Sequence, residues 1–500
     1  MTHNIGKQIA DLREAAGMTQ AALAKKLKTT QSAIARLEAG AQNISTDTLK
    51  KLSRAFGRNL LMLSPGSLSL SIEGGVTLSG TIETNTSKNG AVALLCASLL
   101  NRGKTTLHRM PRIEEVHRII EVLESIGVSI TWKGTSVVME TPEEFTLDKI
   151  DQNAAAKTRS IIMFIGPLIH RMRAFSLPQS GGCKLGSRTV RPHFFALEKF
   201  GVMIDTTEDA YKVKAKPRSA GEVILYESGD TVTENALLAA ALTPGETVIK
   251  YASANYMVQE VCAFLSACGV AIEGVGTTTL KVGGIKKIDA DIEYTLSEDP
   301  TDSMFFIAAA IVTNSAITIT RCPIDFLELE LLVLEKMGFI FEQSQPYLSE
   351  NGITRLVDIK TKPSKLVAPP EKVHSRPYPG LNADNLPFFA VIATQAEGQT
   401  LIHDWMYEKR ALYFTELDKL GADTLLADPH RIYINGKTKL RGAELVCPPA
   451  LRPATILLIA MLGATGHSVL RNIYSINRGY EKLVERLSSL GAKVSYLEEF

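Results

Sequence analysis

The stretch SGGCKLGSRTVRPH, residues 180–193, places one cysteine where it could be chemically reactive. Gly181 and Gly182 precede Cys183 and can adopt backbone angles that other residues resist, so a turn can present the thiol at the tip of a loop. Lysine and arginine side chains nearby would favour the thiolate and attract an anionic substrate. The local sequence therefore indicates either a reactive cysteine beside an anion site or an inert cysteine in a surface loop, as most lone cysteines are.

The chain has the composition of an ordinary globular protein, with 45% apolar and 22% charged residues. Its 500 residues are too many for one hydrophobic core, so two or three domains are expected. The net charge of +2 excludes a broadly basic chain, so any DNA binding must be confined to a local part of the surface.

The six cysteines form no CxxC pair, so no zinc ribbon, metal site or disulfide framework is predicted, and no cofactor is expected. No signal peptide and no apolar run of about 18 residues is recognisable, which favours a cytoplasmic location.

The first 65 residues contain only helical patterns. Thr19 can cap a short helix from Gln20 to Leu27, and after a turn a second helix is predicted from Gln31 to Glu38. A further helix is predicted to begin at Thr46. The Pro/Gly/Ser-rich stretch LSPGSLSLS, residues 63–71, is predicted to be a linker to the rest of the chain.

The segment MTQAALAKKLKTTQSAIARLEAG resembles the helix-turn-helix of the Cro and phage-repressor class, whose second helix enters the major groove of DNA. The resemblance implies that Gln20 meets a phosphate and that Gln31, Ser32 and Arg36 face the bases. Glutamine and arginine can read adenine and guanine edges. One such unit covers only a half-site, so useful affinity for DNA would need a homodimer. A helical interaction module without DNA binding remains the alternative.

One pattern recurs six times after residue 68. Each copy has an apolar helix rich in Ala and Leu, a Gly-containing turn, a Val/Ile/Thr strand, a charged amphipathic helix and a closing glycine before another strand. The closing glycines are Gly127, Gly201, Gly269, Gly338, Gly421 and Gly491. One copy cannot bury both of its faces, so the copies must pack on one another. Two lobes of three copies are expected, and the cleft between them is the default ligand site.

These six units, together with GGVTLSG, SKNGA, SGGCKLGSR and INRGYEKLVERLSSLGAKV in that order, resemble the enolpyruvyl transferases over about residues 68–500. The resemblance implies an α/β fold of two lobes, each with three βαβαββ units, behind a small all-α helix-turn-helix domain. It implies a helix-turn-helix domain at 1–65, a linker and the first strands of lobe I at 66–87, lobe II at 88–296 and the rest of lobe I at 297–500.

The resemblance also implies a reaction and the residues that perform it. The enolpyruvyl group of phosphoenolpyruvate would pass to the 3-hydroxyl of UDP-N-acetylglucosamine with release of phosphate, which is the first committed step of peptidoglycan synthesis. Cys183 would be the acid and Asp384 the base, with Lys88 and Arg478 on phosphoenolpyruvate. The other implied substrate contacts are Asn89, Arg159, Arg188, Ser228, Gly229, Arg410 and Arg452. Of these, Ser228 and Gly229 keep part of the turn that holds the diphosphate in the family.

Ordinary alternatives exist for these residues. A lone arginine is usually a solvated surface charge, whereas the resemblance puts Arg410 at the mouth of the closing lobe. Asp384 could instead cap the helix predicted from Leu386 to Ala393. Asp302, in DPTDS, is a rival for the role of base, but the resemblance does not assign it that role.

The departures from the family lie on the acceptor side. TIETNTS, residues 81–87, is expected to be an insertion, Arg191 stands where the family has an aspartate, residues 254–257 replace Arg-Glu-Pro-Glu, and Pro300 replaces an arginine. Two alternatives therefore stay open. One is an enolpyruvyl transferase for another nucleotide or sugar, and the other is a DNA-binding regulator whose lobes only sense a nucleotide-sugar.

Overall fold

The computed structural model of the chain describes most of its length. The described residues are 6, 9–10, 12–14, 16–39, 48, 51–52, 55–56, 68–156, 158–179, 189–216 and 219–498. Three features predicted from the sequence lie outside them: the beginning of the helix at Thr46, the loop that carries Cys183, and Arg188.

The two predicted helices of the helix-turn-helix unit are confirmed as Gln20–Leu27 and Gln31–Glu38. Thr19 and Thr30 cap them, since each hydroxyl accepts the N–H of the residue three positions on, at 3.1 and 3.2 Å. The first helix ends at Lys28, which adopts a left-handed conformation with φ 54°. The apolar residues of the two helices meet others of this unit in a small core: Ile9, Leu23, Ala24, Leu27, Ile34, Leu37 and Leu52.

The predicted linker is wrong at its C-terminal end, because Leu68–Gly74 is a strand. This strand lies between Gly466–Arg471 and Lys493–Glu498 and pairs antiparallel with both. In LSLSIEG the leucines and the isoleucine alternate with polar residues, and this period of two sends Leu70 and Ile72 into the core. The alternation, and not the serine content, decides the structure of the segment.

The first lobe has three sheets on the outside and apolar helices inside. Its first sheet contains, in spatial order, Glu444–Val446, Gly466–Arg471, Leu68–Gly74 and Lys493–Glu498. The second contains Ile340–Gln343, Arg355–Lys362, Ala316–Pro323 and Ser79–Glu83, with Tyr347–Leu348 beside Arg355–Lys362. The third contains Leu366–Val367, Ala396–His403, Arg431–Gly436 and Asp423–Asp428, with Val373–His374 beside Ala396–His403.

Three helices of this lobe, Pro300–Val312, Leu386–Ala393 and Leu451–Gly463, pack on one another and are buried along almost their whole length. They are rich in Ala, Ile, Leu and Phe on all sides, which is typical of a helix enclosed by other elements. The helices outside this bundle are Ile324–Phe326, Glu328–Lys336, Arg410–Leu420, Tyr474–Asn477 and Leu483–Ser489, of which the first and third are 3-10 helices.

The second lobe repeats this arrangement around its own core, which spans residues 91–296. Its first sheet contains Ile292–Thr295, Lys104–His108, Ser136–Glu140 and Ser129–Lys133. The second contains Ala174–Pro178, Ala210–Ala215 and Val202–Thr206. The third contains Ala271–Glu273, Thr279–Gly284, Gly245–Lys250 and Glu222–Ile224.

The α-helices of the second lobe are Lys88–Ala97, Glu114–Ser125, Gln152–Ala155, Ile165–Leu168, Arg191–Glu198, Asp230–Ala241 and Tyr256–Ala267. Its 3-10 helices are Ser98–Leu100, Leu147–Lys149 and Arg159–Phe164. All six closing glycines of the two lobes have positive φ values, between 75° and 98°, as the repeat pattern requires where an amphipathic helix turns into a strand. The expected two-lobed α/β fold is thus confirmed, while the exact domain limits stay a prediction.

The chain passes between the lobes twice, and the two crossing segments pair with each other. Thr86 forms an antiparallel bridge with Glu298, and the N–H of Ser87 donates to the carbonyl of Ser297 at 2.8 Å. The expected insertion at 81–87 is therefore no extra loop, because it ends the strand Ser79–Glu83 and then forms this crossing. Among the described residues, no helix has the length and apolar character that a membrane span needs.

Candidate active site

A cleft of about 740 Å³ lies between the two lobes and is lined by both. Every described residue that the sequence predicts to bind substrate or to act in catalysis lines it: Lys88, Asn89, Arg159, Ser228, Gly229, Asp384, Arg410, Arg452 and Arg478. Cys183 and Arg188 are outside the described residues, but Thr189, which follows their loop, also lines the cleft. The fold thus brings together residues that are up to 390 positions apart.

Lys88 is the first residue of the helix Lys88–Ala97, which Ser87 caps through a 2.8 Å bond from the N–H of Gly90. The ammonium group of Lys88 lies 3.2 Å from Oε2 of Glu115, and Nε of Arg478 lies 4.0 Å from the same oxygen. Burial raises the pKa of Glu115, but the charges of Lys88 and Arg478 outweigh burial and hold it below its ordinary value. Glu115 is therefore an anion that positions two cations at the cleft.

Asp384 is paired with a buried arginine of the first lobe. Its Oδ2 lies 3.2 Å from Nη2 of Arg452, whose Nη1 donates to the hydroxyl of Tyr480 at 2.8 Å. Burial raises the pKa of Asp384, yet the positive charges of Arg452, Arg410 and Lys88 hold it below its ordinary value. The side chain is therefore a carboxylate that can accept a proton.

Asp384 does not cap the helix that follows it, because the cap position of Leu386–Ala393 is Asn385, whose side chain makes no capping bond. Asp302, the rival for the role of base, is engaged elsewhere: its two oxygens accept from Arg486 at 2.7 and 2.8 Å, and Oδ2 also accepts the N–H of Asn85 at 2.8 Å. Asp302 does not line the cleft. The geometry therefore separates the two aspartates that sequence reasoning had to compare.

Arg410, which the resemblance puts at the mouth of the closing lobe, is a buried residue that lines the cleft. Its side chain is 1% exposed, and its Nε is paired with the buried carboxylate of Asp404. Its Nη2 donates to the carbonyl of Ala383 at 2.7 Å, and the guanidinium lies 4.1 Å from the ring centre of Tyr407. A buried charge needs such a partner, so Arg410 lies in the floor of the cleft, where it holds the backbone next to Asp384.

Another part of the cleft, here called the Ser228 wall, consists of residues 227–231 and Glu234 with Asn255 and Met257. Gly229 stands at the cap position of the helix Asp230–Ala241 and, as a glycine, offers no side chain to cap it. The departure at 254–257 keeps a regular structure, since Asn255 caps the helix Tyr256–Ala267. The hydroxyl of Tyr256, the first residue of this helix, accepts a hydrogen bond from Nδ2 of Asn89 at 3.2 Å.

Comparison with known proteins agrees with this geometry. Residues 72–487 match the family described as EPSP synthase (3-phosphoshikimate 1-carboxyvinyltransferase), and residues 9–63 match a helix-turn-helix family. The UDP-N-acetylglucosamine 1-carboxyvinyltransferase of Treponema denticola is 35% identical over 86% of this chain and 99% of the relative. The chain belongs to the enolpyruvyl transferase family. A protein of the same name from Bradyrhizobium diazoefficiens is 32% identical over 86% of the chain and 98% of the relative.

Solved structures share the fold of this enolpyruvyl transferase. The enolpyruvyl transferase NikO from Streptomyces tendae superimposes with a TM-score of 0.74 at 23% sequence identity, over 87% of this chain and 100% of the other. An EPSP synthase from Acinetobacter baumannii gives a TM-score of 0.67 at 18% identity, over 86% and 100% of the two chains. At these identities the likeness shows the fold alone.

Sequence reasoning missed several residues that line the cleft of this enolpyruvyl transferase. Glu115 lies in the charged helix Glu114–Ser125, where one acid among several gives no signal. Glu234 and His193 stand in largely apolar or amphipathic helices and were also missed. Burial, with a contribution from Arg159, lowers the pKa of His193 to about 3, so this imidazole is neutral.

The helix Gln31–Glu38 exposes three of the residues expected to face DNA, Gln31, Ser32 and Arg36. Gln20 is turned inward instead, since its amide nitrogen donates to Glu38 at 2.8 Å. Arg13 binds the same carboxylate, with 2.6 Å between its Nε and Oε1 of Glu38. A phosphate contact by Gln20 stays a prediction.

Proposed function

We propose that this enolpyruvyl transferase moves the enolpyruvyl group of phosphoenolpyruvate to the 3-hydroxyl of UDP-N-acetylglucosamine, as the entry step of peptidoglycan synthesis in the cytoplasm. Relatives that carry this activity in their names cover the lobes almost completely. The observation that supports it most is the convergence of Lys88, Arg452 and Arg478 with the carboxylate of Asp384 in one cleft. A dianionic phosphate and a carboxylate need such cations, and the attacking hydroxyl needs a base.

In the proposed reaction the sugar hydroxyl oxygen forms a bond to C2 of phosphoenolpyruvate while Asp384 takes the hydroxyl proton. Cys183 donates a proton to C3, which becomes a methyl group, and a tetrahedral ketal results. The C2–O bond to phosphate then breaks, a proton leaves the methyl group, and the carbon–carbon double bond forms again. Lys88 and Arg478, held by Glu115, would neutralise the phosphate and carboxylate charges throughout.

The test is a phosphate-release assay on the full-length chain with phosphoenolpyruvate and UDP-N-acetylglucosamine, supplied together and separately. We expect release only when both are present. Phosphate release with another acceptor, and none with UDP-N-acetylglucosamine, would contradict the proposed acceptor. No release with any acceptor, despite binding of the nucleotide-sugar in a thermal-shift measurement, would favour the regulator that only senses its ligand.

One observation favours a different acceptor as the second candidate. The Ser228 wall carries two acidic residues, Glu227 and Asp230, next to the turn at which a diphosphate is expected. Carboxylates near a diphosphate weaken its binding by repulsion. The same assay with a nucleoside monophosphate and with free N-acetylglucosamine distinguishes this candidate from the first.

We also propose that residues 1–65 bind DNA as a homodimer through Gln31, Ser32 and Arg36. The exposure of these side chains on one helix, and the match of residues 9–63 to a helix-turn-helix family, support this. Mobility shifts of the full-length chain at low salt should show weak, salt-sensitive binding that Arg36→Ala reduces. Absence of a shift at low salt would leave the unit as an interaction module.

A further inference from the structure

Glu234 is a buried acid on the Ser228 wall that the proposed reaction does not use. It lies in the helix Asp230–Ala241, lines the cleft, and is only 2% exposed. No hydrogen bond to its carboxyl group is found among the described residues, and its Oε1 is buried without a partner. A buried polar group without a hydrogen bond is costly, so an unpartnered carboxyl at a cleft suggests that a ligand completes it.

The next residue shows that this orientation is specific. Asn235 points into the protein, where its amide donates to the carbonyl of Ile162 at 3.1 Å and accepts the N–H of Gly166 at 2.9 Å. One residue along a helix rotates the side chain by about 100°, so Glu234 is turned toward the cleft while Asn235 is turned away. The helix therefore presents the hydrogen-bonded amide of Asn235 to the core and the carboxyl group of Glu234, which lacks a partner at Oε1, to the cleft.

The position of Glu234 matches the sugar part of a nucleotide-sugar. The turn at Ser228 and Gly229, where the diphosphate is expected, lies about one helical turn before it. The residues proposed for the chemistry, Lys88 and Asp384, lie elsewhere in the same cleft. The sugar must extend from the diphosphate to the reacting hydroxyl, so its ring must pass the wall that carries Glu234.

The surroundings define which group Glu234 can bind. Burial, with the neighbouring carboxylates of Asp230 and Glu260, raises the pKa of Glu234 well above its ordinary value, which favours the neutral carboxylic acid. Such an acid can donate a hydrogen bond to the C=O of an amide or accept one from its N–H. Apolar side chains line the cleft on three of the elements that pack against this helix: Val92, Met163 and Met257. An amide that carries a methyl group suits both features.

We propose that Glu234 is a specificity-determining residue that binds the acetamido group of the acceptor sugar. The inference rests on the proposed function, because it takes a nucleotide-linked N-acetyl sugar as the acceptor. It adds a reason for the choice of sugar: a hydroxyl in place of the acetamido group has no methyl group and would leave the apolar surface beside Glu234 uncovered.

The experiment compares two ligands that differ only at this group, UDP-N-acetylglucosamine and UDP-glucose, by calorimetric Kd on the full-length chain. The wild type should bind the first at least roughly tenfold more tightly. Glu234→Leu should remove most of that preference by weakening only the N-acetyl ligand, whereas Glu234→Gln keeps a donor and an acceptor and should retain it. Glu260→Gln is the matched control: Glu260 is an equally buried acid behind Gly90 that accepts the N–H of Ser297 at 2.6 Å and does not line the cleft.

Equal weakening of both ligands in Glu234→Leu, or no weakening, would overturn the inference. So would a wild type that binds the two ligands equally, a result that needs no folded variant. In these cases turnover of UDP-N-acetylglucosamine by the wild type would leave the proposed function standing. A wild type that neither binds nor converts UDP-N-acetylglucosamine would overturn the proposed function and this inference together.

Discussion

Asp384→Asn is the substitution that tests most directly whether the cleft catalyses enolpyruvyl transfer. Asparagine keeps the shape of the side chain and an oxygen that can accept from Arg452, which lies 3.2 Å from Asp384. It loses the negative charge and cannot take a proton. We therefore expect the fold and substrate binding to persist, while the step in which the sugar hydroxyl attacks becomes slow.

The expected size of the effect follows from the role of a general base. A positioned base contributes about 10²- to 10⁴-fold to a rate, which corresponds to about 2.7 to 5.5 kcal/mol in the activation barrier. Because neighbouring cations hold the pKa of Asp384 below 3.8, the wild-type base is ionised above that pH and loses its proton-accepting form only as the pH falls further. Phosphate release by Asp384→Asn should thus be reduced in kcat across the neutral range, with KM changed little.

Asp302→Asn is the control, because Asp302 belongs to a buried ion pair with Arg486 outside the cleft. Breaking a buried pair costs roughly 3 to 5 kcal/mol, so this variant should melt at a lower temperature yet keep its kcat at a temperature where it is folded. The reasoning is refuted if Asp384→Asn keeps kcat within about tenfold of the wild type. It is also refuted if folded Asp302→Asn loses as much activity as Asp384→Asn.

Three further variants probe other parts of the molecule. Cys183→Ala should abolish phosphate release and Cys183→Asp should retain it, since a carboxylic acid can also donate a proton; undiminished turnover of the alanine variant would remove Cys183 as the acid. Because Lys88 and Arg478 depress the pKa of Glu115 in the folded state, its ionised form stabilises the fold above the ordinary value of 4.5, and this contribution is lost as the pH falls through the depressed pKa. The stability difference between wild type and Glu115→Gln, measured by denaturant unfolding, should therefore shrink below pH 4.5, and a difference that grows there would contradict the assignment. Ser87→Ala should reduce the stability of the lobes by about 1 kcal/mol through the lost helix cap, whereas Ser87→Thr should restore most of it.

Local patterns in the sequence determined the elements and their order. Thr19 and Thr30 start helices because a hydroxyl three residues before a free N–H can bond it wherever the helix lies. The six closing glycines end helices because their positive φ values are accessible to glycine without steric strain. The predicted linker failed at Leu68–Gly74, where the alternation of apolar residues became decisive only once two partner strands were present.

The pairing of charges was decided by the tertiary structure alone. The sequence contains both Asp384 and Asp302, and only the packing shows that the second is held by Arg486 while the first faces the cleft. Glu115 gave no signal in the sequence, because its partners Lys88 and Arg478 come from distant parts of the chain. Helix caps and turns depend on neighbours a few residues away and can be recognised locally. The state of a buried charge depends on which other charges the fold brings within a few ångströms of it, and the order of residues does not specify that by itself.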